Sequence, residues 1–295
     1  MKLTRKNLEG SMVALVTPFK SGKIDEPTFK KLIDRQIKGG TDIIIPCGTT
    51  GESATMSHEE HKYVMSFVKD YVNRRVPVIC GAGSNATSEA VELCRYAKKI
   101  DADGLLIVTP YYNRPTQEGL YRHYEFLAGK VDIPIVLYNV PGRTGVSLTP
   151  ETVARLSKIP QVIGIKEASG NIDQTSQIIS LCDLSVISGD DSLTVPLISV
   201  GARGVISVLA NVNPTRTKEM VHAALKGDFK SAKEIHYELL PLAKVLFSET
   251  NPIPVKTALG LMGLASAELR LPLCEMKPEN EKLLKKVLTQ LKLLR

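Results

Sequence analysis

The sequence VIGIK at residues 162–166 has four apolar residues followed by one charged residue. Successive side chains on a strand point to opposite faces, so an apolar residue at every position indicates a strand that is buried on both faces. Parallel strands covered by helices are buried in this way. The segment therefore predicts one strand of a parallel sheet, with Lys166 at its carboxyl end.

Similar apolar, β-branched segments recur at intervals of roughly 20 to 35 residues. They occupy residues 11–16, 42–46, 76–80, 104–108, 133–138, 184–188 and 204–208. Between them lie helix signals: Ser57 and Glu60 match a capping box before residues 61–72, and Thr149-Pro150-Glu151 is typical of a helix start. Eight strand–helix units predict an α/β fold, a (β/α)₈ TIM barrel. A doubly wound sheet is the alternative, which we favour less because no segment is followed by a complete G-x-G-x-x-G turn.

Residues after about 225 change in character. Segments 229–247, 254–263 and 278–294 have helical periodicity, and no strand pattern separates them. We therefore expect a catalytic barrel at residues 1–225 and a C-terminal helical appendage at residues 226–295. The last segment is rich in lysine on one side and leucine on the other, which is more typical of a packed surface helix than of a membrane anchor.

The composition narrows the class of protein. The 295 residues are 43% hydrophobic and 23% charged, as in an average globular chain. The net charge of +7 allows nucleic-acid binding, but basic and acidic residues are mixed throughout, which favours a surface that attracts anionic metabolites. Five cysteines without a C-x-x-C pair, no signal-peptide pattern and no apolar stretch of about 18 residues predict a cytoplasmic protein that binds neither nucleic acid nor membrane.

Lys166 is the most informative candidate, because chemistry in a TIM barrel lies at the carboxyl ends of the strands. An inward-pointing lysine there would lose its water, and that loss favours a neutral amine able to attack a carbonyl. The alternative is that Lys166 points outward and pairs with Glu167. The two residues are adjacent, so only one of them can face the inside of the barrel.

Other polar residues also follow the predicted strands. Tyr138 ends the neighbouring strand and could relay protons with Thr50 and Tyr112 during imine formation. Gly48 and Gly51 flank Thr49 and Thr50, which suits a carboxylate nest, although a capped turn explains this segment equally well. Arg143 lies on a loop between two glycines and could bind a carboxylate in a bidentate way, or could be a solvated loop residue.

Metal and nucleotide cofactors are disfavoured. Residues 58–61, with the sequence HEEH, do not have the H-E-x-x-H spacing of a zinc site. Residues 81–85, with the sequence GAGSN, lack both the third glycine of a dinucleotide turn and the lysine of a P-loop. We therefore expect neither a metal nor an organic cofactor.

Taken together, four motifs resemble the dihydrodipicolinate synthase (4-hydroxy-tetrahydrodipicolinate synthase) family of the N-acetylneuraminate lyase superfamily. They are GTTGES at 48–53, TPYYN at 109–113, YNVPGRTG at 138–145 and GIKE at 164–167. The resemblance covers nearly the whole chain. It implies a class I aldolase-type barrel, a cytoplasmic homotetramer without cofactors, and a lyase that condenses pyruvate with L-aspartate 4-semialdehyde in lysine and diaminopimelate biosynthesis.

The resemblance also implies roles for single residues. Lys166 would form the Schiff base with pyruvate, and Tyr138 would donate and accept protons through Thr50 and through Tyr112 of a neighbouring subunit. The pyruvate would lie against Thr49, Thr50 and the carbonyl of Ile206. Arg143 would hold the carboxylate of the semialdehyde.

Two alternative functions stay open. N-acetylneuraminate lyases share the lysine and the tyrosine but typically lack an arginine in this loop, and they begin the early loop with Gly-Ser-Thr, so Arg143 favours the synthase. A barrel-shaped binding protein that has kept the fold without turnover is the alternative from another class.

A last set of residues matches the positions that bind the feedback inhibitor L-lysine in sensitive family members. The set is Ser53, Ala54, His58, His61, Asn85, Glu89 and Tyr111. Glu89 would take the ammonium group of lysine and Asn85 its carboxylate. Taken singly, Asn85 is better explained as a helix cap, and His58, His61 and Glu89 as exposed polar residues of helices. The joint match predicts inhibition by L-lysine.

Overall fold

Eight parallel strands form the centre of the computed structural model, which describes residues 3–294. The strands are β1 (Gly10–Ala14), β2 (Ile43–Ile45), β3 (Ile79–Gly81), β4 (Gly104–Val108), β5 (Ile135–Asn139), β6 (Val162–Glu167), β7 (Ser185–Ser188) and β8 (Gly204–Ser207). Their hydrogen-bonded order is β2-β1-β8-β7-β6-β5-β4-β3. A parallel bridge between Ile44 and Val78 joins the two ends of this order and closes the sheet. The predicted barrel is thus confirmed, and the doubly wound sheet is wrong.

All eight predicted strands are present, with ends that differ by no more than three residues. The sequence patterns missed a hairpin of two short strands, Phe19–Lys20 and Lys23–Ile24. Strands of two residues are too short for a periodic pattern to show.

Helices follow the strands and cover the barrel. They are α1 (Glu26–Lys38), α2 (His58–Val72), α3 (Thr87–Lys99), α4 (Gln117–Lys130), α5 (Pro141–Thr144), α6 (Pro150–Leu156), α7 (Ile172–Leu181), α8 (Thr194–Ser199), α9 (Pro214–Leu225), α10 (Phe229–Val245), α11 (Ile253–Leu261) and α12 (Pro278–Gln290). The capping box of α2 is formed in both directions, since Glu60 N donates to Ser57 Oγ at 3.1 Å and Ser57 N donates to Glu60 Oε2 at 3.0 Å. Thr149 caps α6 as predicted. No helix within residues 3–294 is long and apolar enough to cross a membrane.

The register of the sheet determines which residues face the inside of the barrel. Lys166 on β6 is paired with Tyr138 on β5 and with Ile187 on β7. Tyr138 and Ile187 belong to the apolar cluster that fills the barrel, whereas Ile165 packs in the outer layer between strands and helices. Since neighbours alternate, Lys166 shares the inner face with Tyr138.

The C-terminal helices pack directly on the barrel. Residues of α10, α11 and α12 form one buried cluster with Val205 on β8 and with Val208, which follows that strand. The predicted boundary between residues 225 and 226 falls in the short turn between α9 and α10. The division into two domains stays a prediction, and its outermost residues, 1, 2 and 295, lie outside the described range.

Candidate active site at the carboxyl ends of the strands

Lys166 and Tyr138 form the centre of the candidate site. Each is 6% exposed, and Lys166 Nζ lies 4.3 Å from the centroid of the Tyr138 ring. A cationic nitrogen over the face of an aromatic ring is attracted by the negative face of the π system. The position of the lysine therefore follows from the strand register and from this contact.

Glu167 points away from Lys166 into the layer between β6 and the helices. Its carboxylate accepts hydrogen bonds from Asn139 Nδ2 at 3.0 Å, Gln174 Nε2 at 3.2 Å and Ser169 N at 2.8 Å. Burial raises the pKa of Glu167, and these donors oppose that rise. The alternative in which Lys166 pairs with Glu167 is therefore wrong.

Two carboxyl groups that follow β7 were given no role by the sequence patterns. Asp191 is 3% exposed and accepts hydrogen bonds from Ser207 Oγ at 2.5 Å, Val208 N at 3.0 Å and Leu209 N at 2.9 Å. Burial raises the pKa of Asp190 and of Asp191, while the charge of Lys166 acts in the opposite direction on both. The two acids thus bring negative charge to the surroundings of Lys166, and Asp191 fixes the loop that follows β8.

The loop after β2 carries Thr49 and Thr50. Its turn is closed by a hydrogen bond from Gly51 N to Gly48 O at 3.1 Å, and Glu52 has a left-handed backbone with φ of 54°. Thr50 is 2% exposed, and its Oγ1 accepts a hydrogen bond from Asn251 Nδ2 at 3.0 Å. The segment is therefore a tight turn that buries the hydroxyl of Thr50.

Arg143 lies on the short helix α5 and is exposed. Its Nη2 donates to the backbone oxygen of Asn251 at 3.1 Å. Arg143 and Thr49 line the same cavity, which has a volume of about 470 Å³. The arginine is thus held at the edge of a cavity and is more than a solvated loop residue.

The same cavity contains most of the residues predicted to bind lysine. Its walls include Ser53, Ala54, His58, His61, Glu89 and Tyr111. Asn85 is not among the lining residues; its backbone oxygen accepts a hydrogen bond from Asn113 Nδ2 at 2.9 Å.

Charged and polar groups in this part of the cavity are close to one another. Glu89 Oε2 accepts a hydrogen bond from Ser84 Oγ at 2.7 Å and lies 3.9 Å from His58 Nε2. His61 is 7% exposed and donates from Nε2 to Gly81 O at 2.8 Å. Burial lowers the pKa of His61, so the ring is neutral near pH 7. Glu89 therefore offers a carboxylate to a ligand in this part of the cavity.

The remaining predicted residues have different surroundings. Ile206 on β8 is fully buried in the barrel interior. Tyr112 is 90% exposed and has a left-handed backbone with φ of 72°. Within one chain, Tyr112 is therefore not packed with the buried Tyr138.

The structure adds a buried ion pair that the sequence analysis missed. Lys256 Nζ on α11 donates to Glu52 Oε1, and the two residues are 1% and 2% exposed. Arg270 N also donates to Glu52, at 3.2 Å. Burial lowers the pKa of Lys256, and the charge of Glu52 opposes that shift. A lysine inside the apolar segment IPVKTALGL was the available sequence signal for this pair.

Asn251 was also missed. No local pattern could have placed it beside Thr50, because 201 residues separate the two in the chain. Within residues 3–294 no group of three or more His, Cys, Asp and Glu side chains is arranged to hold a metal ion.

Comparisons with known proteins agree with this geometry. The model of the Dihydrodipicolinate synthetase family matches residues 7–291. The 4-hydroxy-tetrahydrodipicolinate synthase of Syntrophotalea carbinolica is 56% identical over 283 residues, which are 95% of this chain and 97% of that protein. The crystal structure of dihydrodipicolinate synthase from Aquifex aeolicus superimposes with a TM-score of 0.96 at 50% identity, over 97% of this chain and 99% of that one.

Two similar structures contain small molecules. The chloride-inhibited dihydrodipicolinate synthase from Acinetobacter baumannii was solved in complex with pyruvate; its TM-score is 0.96 at 43% identity, over 98% of this chain and 100% of that one. The enzyme from Cyanidioschyzon merolae was solved with lysine bound; its TM-score is 0.94 at 39% identity, over 97% of this chain and 99% of that one.

Proposed function

Because the chain belongs to the dihydrodipicolinate synthetase family and is a lyase with 4-hydroxy-tetrahydrodipicolinate synthase activity, we propose that Lys166 forms a Schiff base with pyruvate. The proposal rests on the position of this amine. Lys166 is buried inside the barrel and is paired with Tyr138 on the neighbouring strand. A homologous enzyme in complex with pyruvate supports the choice of keto acid.

The reaction follows from the chemistry of an imine. The amine of Lys166 adds to the keto carbon of pyruvate, and water leaves to give a protonated imine. Its positive nitrogen withdraws electrons from the methyl group, which loses a proton and becomes the nucleophilic carbon of an enamine. That carbon attacks the aldehyde of L-aspartate 4-semialdehyde and forms the new carbon–carbon bond. The imine itself is the electron sink, so the proposed mechanism uses neither a metal nor an organic cofactor.

Proton transfers accompany addition, loss of water and enamine formation. We assign them to Tyr138, whose ring lies against Lys166, together with Thr50 and Tyr112. Tyr112 would act from a neighbouring subunit of a homotetramer, since its side chain is 90% exposed on its own chain. Hydroxyl groups can both donate and accept a proton, which a relay requires.

The substrates would be held by groups at the carboxyl ends of the strands, of which Thr49 and Arg143 line the cavity. We assign pyruvate to Thr49, Thr50 and the carbonyl of Ile206, and the carboxylate of the semialdehyde to Arg143. Arginine fits a carboxylate with two parallel hydrogen bonds, whereas a polyhydroxy sugar needs neutral hydrogen-bonding groups. Arg143 at the rim of the cavity therefore favours a short anionic aldehyde over the substrate of an N-acetylneuraminate lyase.

The cavity also supports regulation by L-lysine. Glu89 offers a carboxylate for an ammonium group, and His58, Ser53, Ala54, His61 and Tyr111 line the same space. A homologue with lysine bound supports this ligand. The role first given to Asn85 has weaker support, because Asn85 is not among the lining residues.

The proposed cellular context follows from chemistry and composition. We place the protein in lysine and diaminopimelate biosynthesis in the cytoplasm. Its five cysteines are free thiols in the structure, as expected in a reducing compartment.

A substrate comparison tests the proposed function. Wild-type protein is assayed with pyruvate and L-aspartate 4-semialdehyde, and separately with pyruvate and N-acetylmannosamine. We expect turnover with the semialdehyde only, and no turnover in Lys166→Arg, whose side chain is similar in length but ends in a guanidinium group, which has no primary amine to form the imine. Turnover in Lys166→Arg, or a preference for N-acetylmannosamine, would overturn the proposal.

A further inference from the structure

We propose that Ser84 is a positioning residue for ligand binding, whose hydroxyl group orients the carboxylate of Glu89 so that one of its oxygens can accept from an ammonium group in the cavity. The inference deepens the proposed regulation by L-lysine and rests on it. Ser84 lies between β3 and α3, and it is not one of the residues predicted from the sequence to bind lysine.

Ser84 and Glu89 are joined by a direct hydrogen bond. Ser84 Oγ lies 2.7 Å from Glu89 Oε2, and both residues line the cavity of about 470 Å³. Because Ser84 is only 4% exposed, water competes less for this bond than it would at the surface. A hydrogen bond to an ionised carboxylate is also stronger than one between neutral groups. The side chain of Glu89 is thus tied to a buried group.

The direction of this hydrogen bond follows from the groups at its two ends. Ala86 N donates to Ser84 Oγ at 3.2 Å, and a backbone N–H can donate but not accept. An ionised carboxylate, in contrast, can only accept. The arrangement that satisfies both contacts is the one in which the hydroxyl proton of Ser84 points to Glu89.

The loop that carries Ser84 is held at two further points. Asn113 Nδ2 donates to the backbone oxygen of Asn85 at 2.9 Å. A Cβ atom at Gly83 would lie 2.6 Å from the backbone nitrogen of Val108, which shows that the loop packs tightly on the end of β4. Ser84 therefore presents its hydroxyl group from a fixed position, as a positioning role requires.

One oxygen of Glu89 is used by its neighbours and the other is left for a ligand. His58 Nε2 lies 3.9 Å from Oε2, the same oxygen that accepts from Ser84. Within residues 3–294, Glu89 Oε1 has no hydrogen-bond or ion-pair partner, and the side chain is 44% exposed. Without the hydroxyl group of Ser84 this side chain would rotate more freely, and a ligand would have to order it on binding, which lowers the affinity.

Inhibition by L-lysine tests the proposal, with each variant measured against its own uninhibited rate. Ser84→Ala should raise the lysine concentration for half-inhibition by about 3- to 10-fold, the cost of ordering one flexible side chain. Adding Ser84→Ala to Glu89→Ala should change that concentration by less than about 2-fold, because no carboxylate is left to orient. An unchanged concentration in Ser84→Ala, or an equal loss in both backgrounds, would overturn the proposal. Where inhibition is too weak to measure, isothermal titration calorimetry gives the lysine affinity of the same variants.

The contact from Ala86 N requires a matched control, because Ser84→Ala removes it as well. Asn171 N donates to Ser169 Oγ at 3.3 Å in a similar contact just before α7, and Ser169 is not among the residues that line the cavity. Ser169→Ala should leave the lysine concentration for half-inhibition unchanged. An equal rise in Ser169→Ala and Ser84→Ala would assign the effect to the lost backbone contact and overturn the role of Ser84.

The remaining outcomes separate this inference from the proposed regulation. If Ser84→Ala does not fold, Ser84→Cys takes its place, because a thiol is similar in size and donates only weakly. A wild-type protein that neither binds L-lysine nor is inhibited by it would overturn the proposed regulation together with this inference. Inhibition of the wild type with an unchanged response in Ser84→Ala would overturn the role of Ser84 alone.

Discussion

Replacement of Lys256 by methionine should destabilise the protein strongly, because it leaves the carboxylate of Glu52 buried without its ammonium partner. Breaking a buried ion pair from one side costs about 3 to 5 kcal/mol. Glu52 keeps weaker hydrogen bonds from Arg270 N at 3.2 Å and Thr55 Oγ1 at 3.4 Å. Because these two donors partly replace the lost ammonium group, we expect Lys256→Met to lower the free energy of unfolding by about 3 kcal/mol, the lower end of that range. At about 2 °C per kcal/mol for a chain of this size, the melting temperature should fall by about 6 °C.

Urea denaturation followed by circular dichroism measures this free energy of unfolding. The control is Lys62→Met, which removes a lysine from the more exposed pair with Glu59 and should cost less than about 1 kcal/mol. The double variant Glu52→Gln/Lys256→Met buries no unpaired charge and should recover most of the loss. A Lys256→Met variant as stable as Lys62→Met, or a double variant no more stable than Lys256→Met, would show that an unpaired charge on Glu52 is not the cause of the destabilisation.

The pH dependence of the Glu52→Gln variant extends the same test. Burial lowers the pKa of Lys256 and Glu52 opposes this, so the substitution lowers that pKa further. Between the folded pKa and the ordinary value of about 10.4, the unfolded chain binds more protons and stability rises with pH. The free energy of unfolding of Glu52→Gln should therefore lie closer to that of the wild type at pH 9 than at pH 7. A difference that grows between these two pH values would contradict the lowered pKa of Lys256.

Three further predictions concern the substrate, the inhibitor and acid stability. Arg143→Ala should lower kcat/KM for the semialdehyde by about 10- to 100-fold in steady-state assays, because a charge-assisted hydrogen bond to its carboxylate is lost. The pyruvate adduct should still form. Unchanged kinetics would show that Arg143 does not bind the semialdehyde. Glu89→Gln should raise the L-lysine concentration for half-inhibition by about 10-fold or more, whereas an unchanged inhibition curve would place the inhibitor elsewhere. Burial lowers the pKa of His123 from 6.5 to about 4. Between these pH values the folded state binds fewer protons than the unfolded state, so acidification from pH 6.5 to pH 4 should lower the free energy of unfolding by about 3 kcal/mol. In His123→Gln, the free energy of unfolding measured by urea denaturation should fall less between these two pH values than in the wild type, and an equal fall would exclude His123 as a cause.

The fold could be predicted because the strands leave a local signal. Apolar, β-branched segments buried on both faces recur at regular spacing, and all eight proved to be strands. The capping box of α2 and the Thr149-Pro150 start of α6 were recognised in the same local way. The hairpin at residues 19–24 left no such signal because its strands have two residues each.

The candidate site was predictable only in part. The alternation of β6 implied that Lys166 and Glu167 face opposite sides, and the structure shows the lysine inside. Contacts that depend on distant parts of the chain were missed, above all those of Asn251 with Thr50 and of Lys256 with Glu52. A single sequence does not reveal such pairs, since their partners lie about 200 residues apart and no periodicity links them.

Trapping the imine tests the role of Lys166 as the Schiff-base lysine. Wild-type protein is incubated with pyruvate, reduced with borohydride, digested and analysed by mass spectrometry. Reduction of an imine to a secondary amine fixes the three carbons of pyruvate on one lysine, and we predict that this lysine is Lys166. A digest in which Lys166 is unmodified, or in which the adduct is found on another buried lysine such as Lys69 or Lys256, would rule out this role of Lys166.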